Sequence, residues 1–213
     1  MPEYKLTYFN IRARGEPVRT MLKLAGVDYE EKLFAFGSDQ WKMEKSDNTK
    51  YPFNQLPVLE VDGTPISQSM AIMRYLGKEH GYAPSCNLEQ AQADAIVDQC
   101  QDLIDQFIWL YFTEQDPERK EKQRKNWFEN KLPPAMKNFE AILKRNGTGY
   151  FVGDKITYAD IGFFSLFNVY LARGKPTVPN EFAGYPLISA LYERITKEPR
   201  IAAYLKTRPD AFI

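Results

Sequence analysis

The sequence predicts a small α/β domain followed by a larger all-helical one. Three observations carry the prediction. Alternation of apolar and polar residues at period two occurs in the first eighty residues. An Asp62-Gly63 pair sits between two short apolar runs. From Leu88 onward apolar residues recur at every third and fourth position, the helical period. At 213 residues the chain has room for one large domain or two small ones, and 44% apolar with 26% charged residues is ordinary for a globular protein.

Taken in order, Tyr4, Leu6 and Tyr8 alternate with Lys5, Thr7 and Phe9 and predict a first strand. Pro17 stands near a helix start, Val18, Met21, Leu22, Leu24 and Ala25 supply its apolar face, and Gly26 ends it. Tyr29 to Phe34 reads as a strand, and Gly37-Ser38-Asp39 opens a short polar helix or loop carrying Trp41 and Lys45. Residues 58–61 and 64–67 form a hairpin about Asp62-Gly63. Ser69 caps a helix with Ile72, Met73, Tyr75 and Leu76 on its apolar side. Residues 1–79 are therefore read as one domain, 80–86 as a linker and 87–213 as the helical domain. In the latter, Ile96, Val97, Cys100, Leu103, Ile104 and Phe107 mark a long helix. A second helical stretch runs from about 118 to 144 and breaks near Pro133-Pro134. Thr157 with Asp160 three residues on resembles a capping box for an apolar helix through Tyr170. Shorter helices follow Pro186 and Pro199. The opening β-α-β, a helix, then a β-hairpin and helix with a proline at the third strand is the thioredoxin-like order.

Composition excludes several function classes. Lys plus Arg equals Asp plus Glu at 28 each, so no global charge favours nucleic acid or an anionic membrane. The N-terminus has no basic segment followed by an apolar core, and no apolar run approaches the ~18 residues that span a bilayer. Cys86 and Cys100 fit neither a Cys-x-x-Cys pair nor a zinc pattern and read as free thiols, which together with the absent leader predicts a cytoplasmic protein.

Leu56-Pro57-Val58-Leu59, followed one hairpin later by Gln68-Ser69, carries the chemistry. Leu-Pro at a strand mouth is a candidate cis bond that would turn backbone polar groups toward a peptide-like ligand. Ser69 at a helix start offers a hydroxyl, free N–H groups and a positive dipole end, the elements of a carboxylate site. Together they point to capture of a small acidic peptide. Each residue also has a plainer reading: Pro57 a trans strand entry, Gln68-Ser69 an ordinary cap, Tyr8 a core tyrosine with a wet hydroxyl, Trp41 packing, Lys45 a surface charge.

The run Tyr4-Lys-Leu-Thr-Tyr8-Phe-Asn followed by Arg12-Ala-Arg14-Gly-Glu16 resembles the opening of a sigma-class glutathione S-transferase of the nematode type. That type is related to the glutathione-dependent prostaglandin D synthases. Asn54 to Leu59, Gln68 to Ile72 and Thr157 to Asp160 continue the resemblance over essentially the whole chain. It implies the glutathione transferase fold, glutathione as co-substrate and a homodimer. It implies Tyr8 and Arg14 as catalytic residues. Phe9, Trp41, Lys45, Gln55, Leu56, Pro57, Gln68 and Ser69 join them around glutathione, with Asp102 reaching the partner subunit's glutathione. Phe9, Ile11, Ala13, Ile104, Trp109 and Phe212 are the candidate walls for an apolar electrophile; for Ile104 and Trp109 the plainer reading is helix core. Ala13 departs from the usual Gly. Gln101 departs from an acid found in the prostaglandin synthases' interfacial metal cluster, and no metal is expected.

The implied chemistry is thiol activation. A free thiol has a pKa of about 8.5, so little is thiolate at neutral pH. Two units of lowering require about 2.7 kcal/mol, and one hydrogen bond to a charged group supplies roughly 1.5–3 kcal/mol. A neutral Tyr8 donating to sulfur, with Arg14 and a helix N-terminus adding a positive field, meets that need. The expected reaction joins glutathione to apolar electrophiles in detoxification. The rivals are a prostaglandin D isomerase, a protein sequestering haem or other planar apolar ligands, and a lens-crystallin-like structural protein.

Overall fold

The computed structural model describes residues 2–175 and 177–210, with the side chains of 110–112 excepted. A four-stranded sheet is ordered β2-β1-β3-β4, from β1 (Tyr4–Phe9), β2 (Glu30–Phe34), β3 (Val58–Val61) and β4 (Thr64–Ser67). β2 runs parallel to β1, whereas β3 is antiparallel to both β1 and β4. The parallel pair needs a crossover, and α1 (Glu16–Ala25) supplies it, starting on Pro17 and ending at Gly26 with φ of 69°. This is the predicted thioredoxin-like order, and its pleat puts Leu6 and Tyr8 on the side of α1. The opposite side packs Phe34, Trp41, Tyr51 and Val58 into a small second core under α2 (Asp39–Glu44).

α3 (Ser69–Glu79) follows the hairpin, and seven residues later α4 (Asn87–Phe112) begins. The N-cap of α3 is Gln68 rather than Ser69. Ser69 is the first helical residue, and no side chain caps the end. α5 (Pro117–Asn126) and α6 (Leu132–Asn146) are joined by a wide π turn, Trp127–Lys131. The break thus falls before Pro133-Pro134. The two prolines sit in the first turn of α6, where backbone N–H groups have no helical partner to lose.

The centre of the molecule is α7 (Tyr158–Tyr170), every residue of which is buried. A helix apolar on all sides needs neighbours all round, and α7 contacts α1, α3, α4 and α8 (Pro186–Thr196). α9 (Pro199–Thr207) closes the chain against α1. One continuous core therefore runs from Leu6 and Leu22 through Tyr158 and Phe163 to Ile188. Cys86 is exposed and Cys100 buried, both as free thiols.

Asp160 locks the start of α7. Its carboxylate accepts from Thr157 N at 2.8 Å, Thr157 Oγ1 at 2.9 Å and Phe151 N at 2.9 Å. Burial raises its pKa to about 6 against the pull of those donors. We expect Asp160→Asn to lower the unfolding free energy by about 2–3 kcal/mol, because an amide N–H₂ must then face a donor. A carboxyl harder to ionise in the folded than in the unfolded chain adds stability as pH falls through about 6 toward 4. The stability gap between wild type and variant, measured by urea unfolding, therefore widens from pH 7 to pH 4.5.

Candidate active site

β1, an inner strand, delivers Tyr8 to its C-terminal end, and the chain then turns through residues 10–15 into α1. Tyr8 is 4% exposed. Its hydroxyl oxygen accepts the Arg14 backbone N–H at 3.1 Å. That bond uses a lone pair and leaves the hydroxyl hydrogen for another acceptor. Burial raises the Tyr8 pKa, opposed by the Arg14 N–H and by the charges of Arg19 and Arg14, so the phenol is neutral at physiological pH. The arrangement is a hydrogen-bond donor aimed from a dry wall. Nearby, Arg14 Nη2 meets Asp105 Oδ1 of α4 at 2.5 Å, and Gln101 also donates to Asp105. The arginine is thereby oriented from the helical domain.

The same end of the sheet holds the second half of the site, because Thr7 pairs with Val58 at the start of β3 and Val58 with Ser67 at the end of β4. The Leu56-Pro57 bond is cis. Gln68 has φ of 74°, a region that non-glycine residues rarely occupy, and such outliers cluster at ligand sites. Its side-chain amide donates to Gln55 Oε1 at 3.4 Å. Ser69, 4% exposed, opens α3 beside the N–H groups of that helix's first turn. Gln55 and Gln68 are exposed, and Leu56 is half-buried. Trp41 is packed edge-on against Phe9 and Tyr51 and tilted on Phe34. Lys45 is exposed at the end of α2. A buried phenol and a helix N-terminus thus lie at one end of the sheet.

The candidate electrophile residues are not gathered around one cavity. Phe9 is half-buried and stacks edge-to-face on Phe36, an exposed aromatic at 5.3 Å that the sequence pattern did not single out. Ala13 is buried with φ of 32°, a conformation glycine adopts more readily. Ile11 lines a cavity of about 460 Å³ between α1, β2 and α9. Trp109, 48% exposed, lines a separate cavity of about 440 Å³ with Asp105, Gln106, Gln123, Asn126 and Trp127. Ile104 corrects the expectation: it is fully buried in the main core, because its apolar stripe on α4 is the face packed against α7. Asp102 is exposed on the same helix, and Phe212 lies outside the described residues. Asp105 and Gly15 take part in the site without any spacing signal that marks them.

A thioredoxin-like sheet with a buried neutral tyrosine, a cis-proline loop and a helix N-terminus, joined to a helical domain, defines a peptide-thiol enzyme. Comparison with known proteins agrees. Family models for the glutathione S-transferase N-terminal domain and C-terminal domain match residues 4–78 and 101–208. The hematopoietic prostaglandin D synthase of Gallus gallus is 38% identical over 213 residues, covering 100% of both chains. Glutathione S-transferase 1 of Ascaris suum is 34% identical over 214 residues, covering 98% of each. The structure of a Nu-class glutathione transferase from Haemonchus contortus superposes with a TM-score of 0.86 at 34% identity over the full length of both. The chain belongs to the glutathione S-transferase family, as a transferase that uses glutathione as co-substrate.

Gly15 offers a test of the site's geometry. A Cβ placed there would sit 2.4 Å from Tyr8 Cδ1, although the Gly15 backbone itself is ordinary for any residue. Gly15→Ala must push the Tyr8 ring aside. We expect at least a tenfold loss of glutathione-conjugating turnover in a folded protein, about 1.4 kcal/mol of barrier, measured with a chromogenic aromatic halide.

Proposed function

We propose that this enzyme joins the glutathione thiolate to apolar electrophiles such as aromatic halides and lipid-peroxidation aldehydes, as a cytoplasmic detoxification enzyme. The carrying observation is the Tyr8 hydroxyl, which accepts from Arg14 N and keeps its own hydrogen to give. That hydrogen stabilises the thiolate at sulfur, and the Arg14 guanidinium adds a positive field. Gln55, the Leu56-Pro57 backbone, Gln68 and Ser69 hold the peptide and its carboxylate, with Trp41 and Lys45 on the α2 side. Phe9 and Ala13, next to Tyr8 and Arg14 in the chain, face the electrophile, Ala13 narrowing the space that glycine leaves in the usual pattern, while Ile11 and Trp109 line separate cavities. Ile104 backs this wall from the core.

We read the chain as a sigma-class enzyme of the nematode type, divided into a glutathione-binding domain of residues 1–79, a linker of 80–86 and a helical domain of 87–213. The Tyr8-to-Glu16 opening and the full-length similarity to an Ascaris suum transferase support this. A second reading, isomerisation of a prostaglandin endoperoxide to a prostaglandin D, is favoured by the 38% full-length relative that carries that synthase name. The same thiolate would attack one endoperoxide oxygen and break the O–O bond, leaving the other oxygen as a hydroxyl. Loss of the proton on the carbon bearing the S–O oxygen would then form the carbonyl and return the thiolate, and product analysis after incubation with that substrate separates the two readings.

Tyr8→Phe keeps the ring and removes only the donor. Turnover at neutral pH is expected to fall roughly 10–1000-fold, about 1.4–4 kcal/mol, with glutathione affinity within several-fold. The absorbance titration of the bound thiolate moves to higher pH. An unchanged titration and rate would sink the assignment of Tyr8.

The active species is proposed to be a homodimer in which Asp102 meets the ammonium of the glutathione bound by the partner subunit. Its exposure on α4 supports this. Asp102→Asn is expected to raise the glutathione KM several-fold while leaving the dimer intact in sedimentation. A heterodimer of one Asp102→Asn and one Tyr8→Phe subunit is sharper. Its single intact Tyr8 faces the intact Asp102 of the partner and binds glutathione with wild-type affinity. Reduced affinity at that site means that Asp102 acts within its own subunit.

A further inference from the structure

Arg19 lies on α1 and is 8% exposed. A buried guanidinium is costly unless its charge and all its donors are matched. Its charge is met by Glu31 of β2, with Nε to Oε1 at 2.6 Å, and by Glu16 of α1 at 3.7 Å. Charge pairing alone would be met by a lysine. The remaining donors do something else: Nη1 reaches the Ile11 carbonyl at 2.9 Å and Nη2 the Phe9 carbonyl at 3.3 Å. These carbonyls lie where the chain leaves β1. The last sheet bond there is Asn10 N to Phe34 O, and the α1 ladder starts only with Gly15 and Glu16 donating to Arg12 O. The guanidinium carbon also lies 5.5 Å from the centroid of the Tyr8 ring.

We propose that Arg19 is a positioning residue for thiol activation, whose planar fork ties the 9–11 backbone to α1 while its cationic face seats the Tyr8 ring. This rests on the reading of Tyr8 as the donor to sulfur. One rigid group thus sets both the ring that carries the hydroxyl and the segment that leads to the Arg14 N–H holding that hydroxyl. A lysine has neither the plane nor the fork. The charge acts in the same direction, because a cation beside the ring makes the phenol a stronger donor. The groups facing Arg19 are Glu16, Glu31, Tyr8, Tyr29 before β2 and, on α9, Tyr204; those facing Tyr8 are Arg19, Arg14 and, on α7, Tyr170. The Glu16 carboxylate is itself held by Tyr204 Oη at 3.0 Å and by Arg208, so it keeps partners when Arg19 is altered.

The test is the double variant Arg19→Gln/Glu31→Gln, which removes the charge pair together, read against Arg19→Lys and Tyr8→Phe. In the double variant the bound-thiolate titration moves up by about one unit and kcat at neutral pH falls about tenfold. The glutathione KM stays within threefold, since the Gln68-Ser69 end is untouched. Arg19→Lys, keeping charge without the fork, recovers only part of the loss. A titration that coincides with wild type, even in a protein of lowered thermal midpoint, overturns the proposal and leaves Arg19 a structural residue. If the double variant does not fold, Glu31→Gln alone loosens the fork and is read by the same titration and the same criterion. Tyr8→Phe separates the two layers. If it leaves the titration unmoved, the donor reading itself falls and the Arg19 proposal with it. If Tyr8→Phe shifts the titration and the Arg19 variants do not, only the Arg19 proposal falls.

Discussion

Residues 10–15 must leave a strand, turn and enter a helix within six positions, and they are gripped from three sides. Arg19 holds the departing carbonyls, Gly15 leaves room for the Tyr8 ring, and Asp105 draws the Arg14 side chain toward α4. A turn made of Arg-Ala-Arg-Gly has little apolar content of its own, and Ala13 sits at φ of 32°. It stays in one shape because the surroundings over-determine it. The hydroxyl of Tyr8 and the backbone N–H of Arg14 are mutually placed by this turn, so the chemistry depends on it directly.

The grip passes through the interface between the sheet domain and the helices. α1 packs against α7, α3 and α9. At that junction Glu16 is buried with Arg208 and Tyr204, while Arg208 also donates to Asn168 and to the Gly174 carbonyl. A second tie runs from Arg74 on α3 to Asp94 at 2.6 Å and to Asp98, with Tyr158 donating to Asp94 at 2.9 Å. Neither the buried Glu16–Arg208 pair nor the partly exposed Arg74 cluster adds much net stability. Their effect here is geometric: a guanidinium fork accepts one arrangement of carbonyls and carboxylates, so the two halves of the molecule seat in one way. The thiol-activating edge is thus referenced to the helical domain through Arg14–Asp105 on one side and Glu16–Arg208 on the other.

The site separates two tasks. In the proposed function Tyr8 and Arg14 act where charge develops on sulfur, in a dry environment that keeps the phenol protonated, and Gln68 and Ser69 take a distant carboxylate at a helix end. The pairing of β1 with β3 and of β3 with β4 brings the two to one end of the sheet. On that reading binding strength and chemical rate are adjustable by different residues.

Much of the architecture was legible in the sequence because it rests on local rules. Period-two alternation, Asp62-Gly63, Gly26 and the Thr157–Asp160 spacing each report on a few neighbouring residues. The strand order, the crossover helix and the buried α7 follow from them. The pairing of Leu56-Pro57 with Gln68-Ser69 was legible for the same reason, being one hairpin apart. Long-range choices were not. Ile104 and Trp109 are five residues apart on α4, yet only tertiary packing sends the first into the core and the second to a cavity wall. The break between α5 and α6 fell at a wide turn that seats Trp127 on the Leu103 carbonyl rather than at the prolines. The parts taken by Arg19, Asp105 and Gly15 depend on contacts with Phe9, Arg14 and the Tyr8 ring, and sequence patterning cannot separate a buried, fully bonded arginine from a solvated one. Local hydrogen bonding and apolar period determined the elements; desolvation and three-dimensional packing decided which polar groups became the site.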